Sequence, residues 1–138
     1  MPRTGEGGFT LIELLTVMLI VALLAAIAVP TFLDQRAKAQ DTEAKSAATV
    51  AAKTLEVYYL DNRTYAGVDA TALVSIDASL AEARGLTVNG TADGYTLSVD
   101  SASAANGGGP FVIDHDPART LRTCGSPGKG GCSPSGNW

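Results

Sequence analysis

The sequence predicts an α+β protein in which one long N-terminal helix, membrane-spanning in its first half, packs on a small antiparallel sheet. Three observations predict this fold class. An unbroken apolar run covers residues 9–33, a polar but helix-compatible segment continues to about residue 62, and short alternating segments separated by turns follow. We therefore expect the first part to lie in an apolar medium and the remainder to fold in water.

The apolar run is long enough to cross a membrane. Its 25 residues carry one charge, Glu13, and a helix of about 20 residues crosses the hydrocarbon core. A cleaved secretory signal is the alternative, because Ala26-Ile27-Ala28 fits the small-x-small pattern of a cleavage site. The run exceeds the roughly 7–15 residues of a signal core and contains an acidic residue, so a retained helix is favoured.

The segment after residue 33 is predicted to continue the same helix as an amphipathic one. Apolar residues recur along it at spacings of three and four, which places them on one helical face. This alanine seam consists of Ala44, Ala48, Ala51, Leu55 and Tyr58. We expect the seam to lie against a sheet. The residues expected to point away from it are Lys45, Thr49, Lys53 and Glu56. Within the apolar run, Pro30 removes one helical N–H and predicts a bend.

The last part of the chain predicts a head built on three or four antiparallel strands. Two short helical segments come first, starting after Asp69 and Asp77 and closed by Gly85. The strands are expected at residues 86–88, 95–99, 111–113 and 120–123. The first two would form a hairpin whose turn runs through Asn89-Gly90 to Asp93-Gly94.

Composition and motifs argue against nucleic-acid binding and catalysis. The formal charge is -4, from 10 Lys and Arg against 14 Asp and Glu, and without a basic cluster no specific nucleic-acid partner is predicted. The sequence contains no phosphate-binding glycine loop, nucleophile elbow or paired-cysteine metal motif. In Asp114-His115-Asp116, alternation along a strand would send the sole histidine and the two aspartates to opposite faces. We therefore predict no enzyme, no catalytic or metal site and no cofactor.

The start of the apolar run carries a specific motif. A short hydrophilic leader containing Arg3 precedes Gly8-Phe9-Thr10-Leu11-Ile12-Glu13, and the apolar helix follows. This arrangement resembles the class III signal of type IV prepilins and of the related type II secretion pseudopilins. The resemblance implies that a prepilin peptidase cleaves between Gly8 and Phe9 and methylates the new Phe9 amine. The implied segments are a leader at residues 1–8, a transmembrane and filament-core helix at 9–33, its amphipathic continuation at 34–62 and a globular head at 63–138.

Two cysteines, Cys124 and Cys132, enclose a loop rich in Gly, Pro and Ser. No second cysteine pair or nearby histidine completes a zinc site, and a disulfide is expected if this part of the chain lies outside the cytoplasm. The loop also resembles the C-terminal disulfide region of pilins. The resemblance therefore implies that these two cysteines pair.

Glu13 is an ionisable residue inside an apolar helix, where a lone carboxylate is unfavourable. Cleavage before Phe9 would create an amine four residues away on the same helical face, and the opposite charges would neutralise each other. The resemblance favours pairing of Glu13 with the Phe9 amine of a neighbouring subunit, which would set the register of assembly. A carboxylate that is merely tolerated, or that caps the helix start, is the alternative.

The resemblance implies a structural subunit that polymerises into a helical type IV pilus filament through its N-terminal helix. The subunit would wait in the inner membrane as a single-pass precursor and then enter an extracellular surface filament. Implied partners are further copies of the chain, other minor pilins, the prepilin peptidase, a pilus assembly ATPase and a platform protein. One alternative is a minor pilin or a type II secretion pseudopilin that forms a short periplasmic filament. Another, from a different class, is a binding domain tethered by a signal anchor.

Overall fold

The computed structural model describes residues 8–103 and 106–138. Its elements, in chain order, are α1 (Leu11–Asn62), α2 (Ala70–Ile76), a 3₁₀ helix (Ala78–Glu82), β1 (Thr87–Gly90), β2 (Tyr95–Val99), β3 (Phe111–Asp116) and β4 (Arg119–Cys124). The predicted α+β class is confirmed. The chain divides into two compact units, the first ending at Leu33 and the second covering Asp34–Trp138. Of the predicted leader, only Gly8 lies within the described residues.

Helix α1 begins and ends with side chains suited to those positions. At its start, the Glu13 N–H donates to the Thr10 hydroxyl at 3.3 Å and the Thr10 N–H donates to the Glu13 carboxylate at 2.9 Å, which is a capping box. At its end, the Asn62 side chain donates to a carbonyl of the last turn at 3.0 Å. Arg63 then adopts a left-handed conformation with φ of 58°, a common way to terminate a helix.

The four strands pair in the order β1-β2-β3-β4, and each neighbouring pair is antiparallel. Alternation selects the core-facing side chains: Leu97 lies opposite Ile113, and both are buried. The predicted hairpin of β1 and β2 is confirmed, but its turn is shorter than expected, because Asn89 and Gly90 belong to β1 and the turn follows them. A Cβ on Gly90 would lie 1.9 Å from the Tyr65 carbonyl oxygen, so this glycine permits close packing.

The core of the second unit combines the alanine seam with the inward face of the sheet. Ala48, Ala51 and Leu55 are fully covered and belong to one hydrophobic cluster with the core-facing strand residues. The predicted role of the seam is thus confirmed. The expectation that Lys45 points away from the head is wrong, since its ammonium donates to the Gly131 carbonyl. A long flexible side chain can leave the face on which its Cα stands, which the helical period alone does not predict.

Candidate assembly interface

The first unit presents an apolar helical surface without cover. Every residue from Gly8 to Leu33 is exposed. Among the described residues, α1 is the helix that is long and apolar enough to cross a membrane. An uncovered apolar surface of this length is unfavourable in water, so lipid or other apolar helices must cover it.

Glu13 lies at the start of this surface and already has partners within its own chain. Its Oε2 accepts from the Thr10 N–H at 2.9 Å and from the Thr10 hydroxyl at 2.8 Å. The helix-capping alternative therefore describes the single subunit. The structure describes the uncleaved chain, so pairing of Glu13 with a Phe9 amine stays a prediction. A carboxylate accepts up to about four hydrogen bonds, so these two leave room for an ammonium.

The hydroxyl groups of the apolar helix are bonded to its own backbone. The Thr16 hydroxyl donates to the carbonyl one turn earlier at 2.7 Å, and the Thr31 hydroxyl does so to the Ala28 carbonyl at 2.9 Å. Pro30 stands inside α1, and the bend predicted there stays a prediction. Since the threonines need no external partner, Glu13 is the group of this surface that can still bind one.

The C-terminal tail is held by the disulfide that the sequence predicts. Cys124 and Cys132 are bonded, with their Cα atoms 5.8 Å apart. Backbone bonds reinforce this closure: the Cys124 N–H donates to the Gly136 carbonyl and the Cys132 N–H to the Lys129 carbonyl, both at 2.9 Å. The disulfide loop, residues 124–132, is therefore held in one conformation on the second unit.

A buried carboxylate that the sequence analysis missed connects this loop to α1. Asp41 is fully buried, and its Oδ2 accepts from the N–H groups of Gly108 and Gly131, both at 2.7 Å. Glycine is required beside it, because a Cβ on Gly130 would lie 2.1 Å from the same oxygen. A sequence signal exists: Asp41 stands three residues before Ala44 and so falls on the alanine seam, where a polar residue needs a buried partner.

Lys45, one turn after Asp41, strengthens the same contact. Its ammonium donates to the Gly131 carbonyl and lies 5.3 Å from the centre of the Phe111 ring. Both backbone groups of Gly131 therefore bond to α1: its N–H donates to Asp41, and its carbonyl accepts from Lys45, four residues further along the helix. The disulfide loop is consequently tied to the helix as well as closed on itself.

The sole histidine and the two aspartates beside it each contact a different group. Asp114 is exposed and accepts from the Thr96 hydroxyl at 3.4 Å. His115 stacks on Tyr95 from the other face of the sheet, with ring centroids 5.0 Å apart. Asp116 accepts a backbone N–H of the following turn, which lowers the pKa of its carboxyl. Burial raises the pKa of Tyr95 to about 12, so this phenol is neutral at physiological pH.

Comparison with known proteins adds to this geometry. Residues 3–29 match the family model of the prokaryotic N-terminal methylation motif. The type IV wide pilus major component PilA4 of Thermus thermophilus is 40% identical over 97 residues, which cover 70% of this chain and 66% of that protein. The type IV major pilin protein PilE1 of Neisseria gonorrhoeae is 44% identical over 72 residues. The type II secretion system core protein G of Pseudomonas aeruginosa is 40% identical over 65 residues. The chain spans 44% and 46% of these last two relatives.

An exposed apolar helix that starts with a methylation motif, joined to a small αβ head, defines a class of N-terminally anchored subunits. Within that class, the chain belongs to the superfamily of type IV pilins and type II secretion pseudopilins. The family predicted from residues 8–13 is therefore confirmed. Proteins of this family are structural subunits.

Proposed function

We propose that this chain is a structural pilin that polymerises into a type IV pilus filament through its N-terminal helix. One observation carries the proposal: the apolar surface of residues 8–33 is exposed in the single subunit and has an ionisable group, Glu13, near its start. Such a surface needs an apolar cover, and further copies of the same helix can supply it. The match to major pilin proteins supports the same conclusion.

Glu13 provides the specificity that apolar contacts lack. Apolar side chains gain little when they move from lipid to a bundle of similar helices, so burial alone does not select one axial register. A carboxylate paired with the Phe9 amine of a neighbour does select one, because other registers leave both charges unpaired in an apolar core. Before assembly the Thr10 N–H and hydroxyl hold this carboxylate, and the amine then becomes its additional partner.

Processing precedes assembly in this proposal. A prepilin peptidase cleaves between Gly8 and Phe9 and methylates the Phe9 amine, and the mature subunit stays in the inner membrane until it is used. A pilus assembly ATPase and a platform protein then move it into an extracellular filament that also contains minor pilins. The methylation motif at residues 3–29 and the 87% exposure of Phe9 support the cleavage step.

The test replaces Glu13 by Ala and by Gln in cells that assemble the subunit. We expect both variants to reach the membrane but to lose sheared surface filaments, because breaking a buried pair costs about 3–5 kcal/mol. Thr16→Ala is the matched control, since the Thr16 hydroxyl bonds to its own helix. Mass spectrometry of wild-type filaments should find a subunit that begins with methylated Phe9. Full filament yield from both Glu13 variants, or a filament subunit that begins at Met1, would refute the proposal.

A subunit of a type II secretion filament is the second candidate. The 40% identity to core protein G over 65 residues favours it. The same helix would then assemble a short periplasmic filament. Electron microscopy of sheared surface material separates the two candidates: filaments that contain this chain support the pilus. Their absence, combined with a secretion defect when the gene is deleted, supports the secretion filament.

A further inference from the structure

An acidic groove lies between α1 and the 3₁₀ helix of the second unit. It has a volume of about 470 Å³. Its lining consists of Glu43, Ser46, Ala47 and Val50 of α1, Ser79, Leu80 and Glu82 of the 3₁₀ helix, and Ala83. The only charged side chains in its lining are the two glutamates, and both are exposed. This acidic groove therefore favours a cationic occupant that can reach between two helices.

A basic pocket lies elsewhere on the same unit. It has a volume of about 390 Å³, and its lining includes Lys38 and Asp34 of α1 and Lys129 of the disulfide loop. Two lysines against one aspartate leave the pocket positively charged. Because Asp41 and Lys45 hold the disulfide loop on α1, Lys129 is presented from an anchored backbone.

The charges of these two pockets have no ionic partner within the described part of the chain. The ion pair found there joins Arg119 to Asp116. Lys38 and Glu43 cannot reach each other in one subunit, because five residues correspond to about 140° of rotation around a helix. They thus point from different faces of α1, and their charges are available to another molecule.

We propose that the basic pocket of one subunit docks on the acidic groove of the next, with Lys38 of one chain opposite Glu43 of its neighbour. The occupant is a second copy of this chain, because the two pockets are complementary in charge and both are open. Two different patches on different faces make a head-to-tail contact, which generates an open helical polymer when the rotation between neighbouring copies does not close into a ring. This inference rests on the proposed filament function and adds a second contact outside the apolar core.

Zero-length cross-linking of wild-type filaments tests the contact in the native protein. A carbodiimide joins an amine to a carboxylate where the two are in ionic contact, and mass spectrometry identifies the linked peptides. We expect a link between Lys38 and Glu43 in sheared filaments and none in detergent-solubilised, unassembled subunits. Filaments that yield no link from Lys38 or Lys129 to Glu43 or Glu82 would overturn the inference.

Charge reversal tests whether the contact contributes to assembly. Lys38→Glu and Glu43→Lys should each lower filament yield about fivefold, which corresponds to roughly 1 kcal/mol. The double variant Lys38→Glu/Glu43→Lys should return the yield to within about twofold of wild type, because the pair is restored with its polarity exchanged. Lys53→Glu is the matched control, since Lys53 is exposed on α1 outside both pockets.

The outcomes separate this inference from the proposed function. If both single variants assemble as well as the Lys53→Glu control, or if the double variant is no better than the single ones, the docking proposal is wrong. Glu13→Ala would still abolish filaments in that case, and the pilin function would stand. If wild-type cells make no filament that contains this chain, both proposals fail together.

Discussion

Removing the Asp41 carboxylate should loosen the disulfide loop from α1. The carboxylate is fully buried and accepts from the N–H groups of Gly108 and Gly131 at 2.7 Å each. In Asp41→Ala both donors lose their partner in the protein interior, and each unsatisfied donor costs about 1–3 kcal/mol. We therefore expect the free energy of unfolding of the second unit to fall by about 2–6 kcal/mol. That is a large share of the roughly 5–15 kcal/mol typical of a small domain.

The sole tryptophan provides the assay. Trp138 contacts Phe111 edge to face at a ring-centroid distance of 5.7 Å, and the Arg122 guanidinium lies 4.9 Å from its ring centre. Its fluorescence during urea unfolding of the full chain in detergent therefore reports release of the C-terminal tail. Asp41→Asn should retain most of the stability, because its amide oxygen can still accept from both N–H groups. The pair of variants separates the hydrogen bonds from the charge.

Thr42→Ala is the matched control for this experiment. Thr42 neighbours Asp41 in the sequence, is exposed, and its hydroxyl donates to the Lys38 carbonyl of its own helix at 2.8 Å. Its loss should change the unfolding free energy by no more than about 0.5 kcal/mol. If Asp41→Ala unfolds at the same urea concentration as this control, the two buried hydrogen bonds do not stabilise the second unit, and the reasoning is wrong.

Three further results are expected from the same unfolding assay or from titration. Gly130→Ala should destabilise the second unit more than Gly128→Ala. The backbone φ is positive at both positions, 51° at Gly130 and 77° at Gly128, but only at Gly130 would the new Cβ lie 2.1 Å from the Asp41 carboxylate. Equal losses of stability in the two variants would contradict this prediction. Replacing both cysteines by serine should lower the unfolding free energy by about 2–3 kcal/mol, and an unchanged value would disagree with loop-closure entropy. The Tyr95 pKa of about 12 lies above the unfolded value of about 10, so its contribution to stability is complete below pH ~10 and is lost as the pH rises through 12. Tyr95→Phe should remove that part of alkaline unfolding, and an identical pH profile would count against it.

Local patterns were sufficient for much of the fold. The alanine seam follows the helical period, so the burial of Ala48, Ala51 and Leu55 could be predicted without a partner surface. The end of the helix near residue 62 was predicted from the local sequence, and the Asn62 side chain does bond within the last turn. Asn89 and Gly90 were wrongly included in the hairpin turn, because a glycine also permits close packing within a strand. Only the contact with Tyr65, which is distant in sequence, decides between the two uses.

The sequence by itself determined the apolar helix, the methylation motif and hence the family, because hydropathy and a short motif are both properties of a continuous stretch of chain. Only the tertiary structure decided which polar groups are buried together. The bonds from Asp41 reach partners 67 and 90 residues away in the sequence, and a helical period cannot identify them. Asp41 lies on the buried face, but the two loops whose N–H groups donate to its Oδ2 come to it only when the chain folds. The physical reason is that a buried carboxylate is stable only where donors from distant segments converge on it.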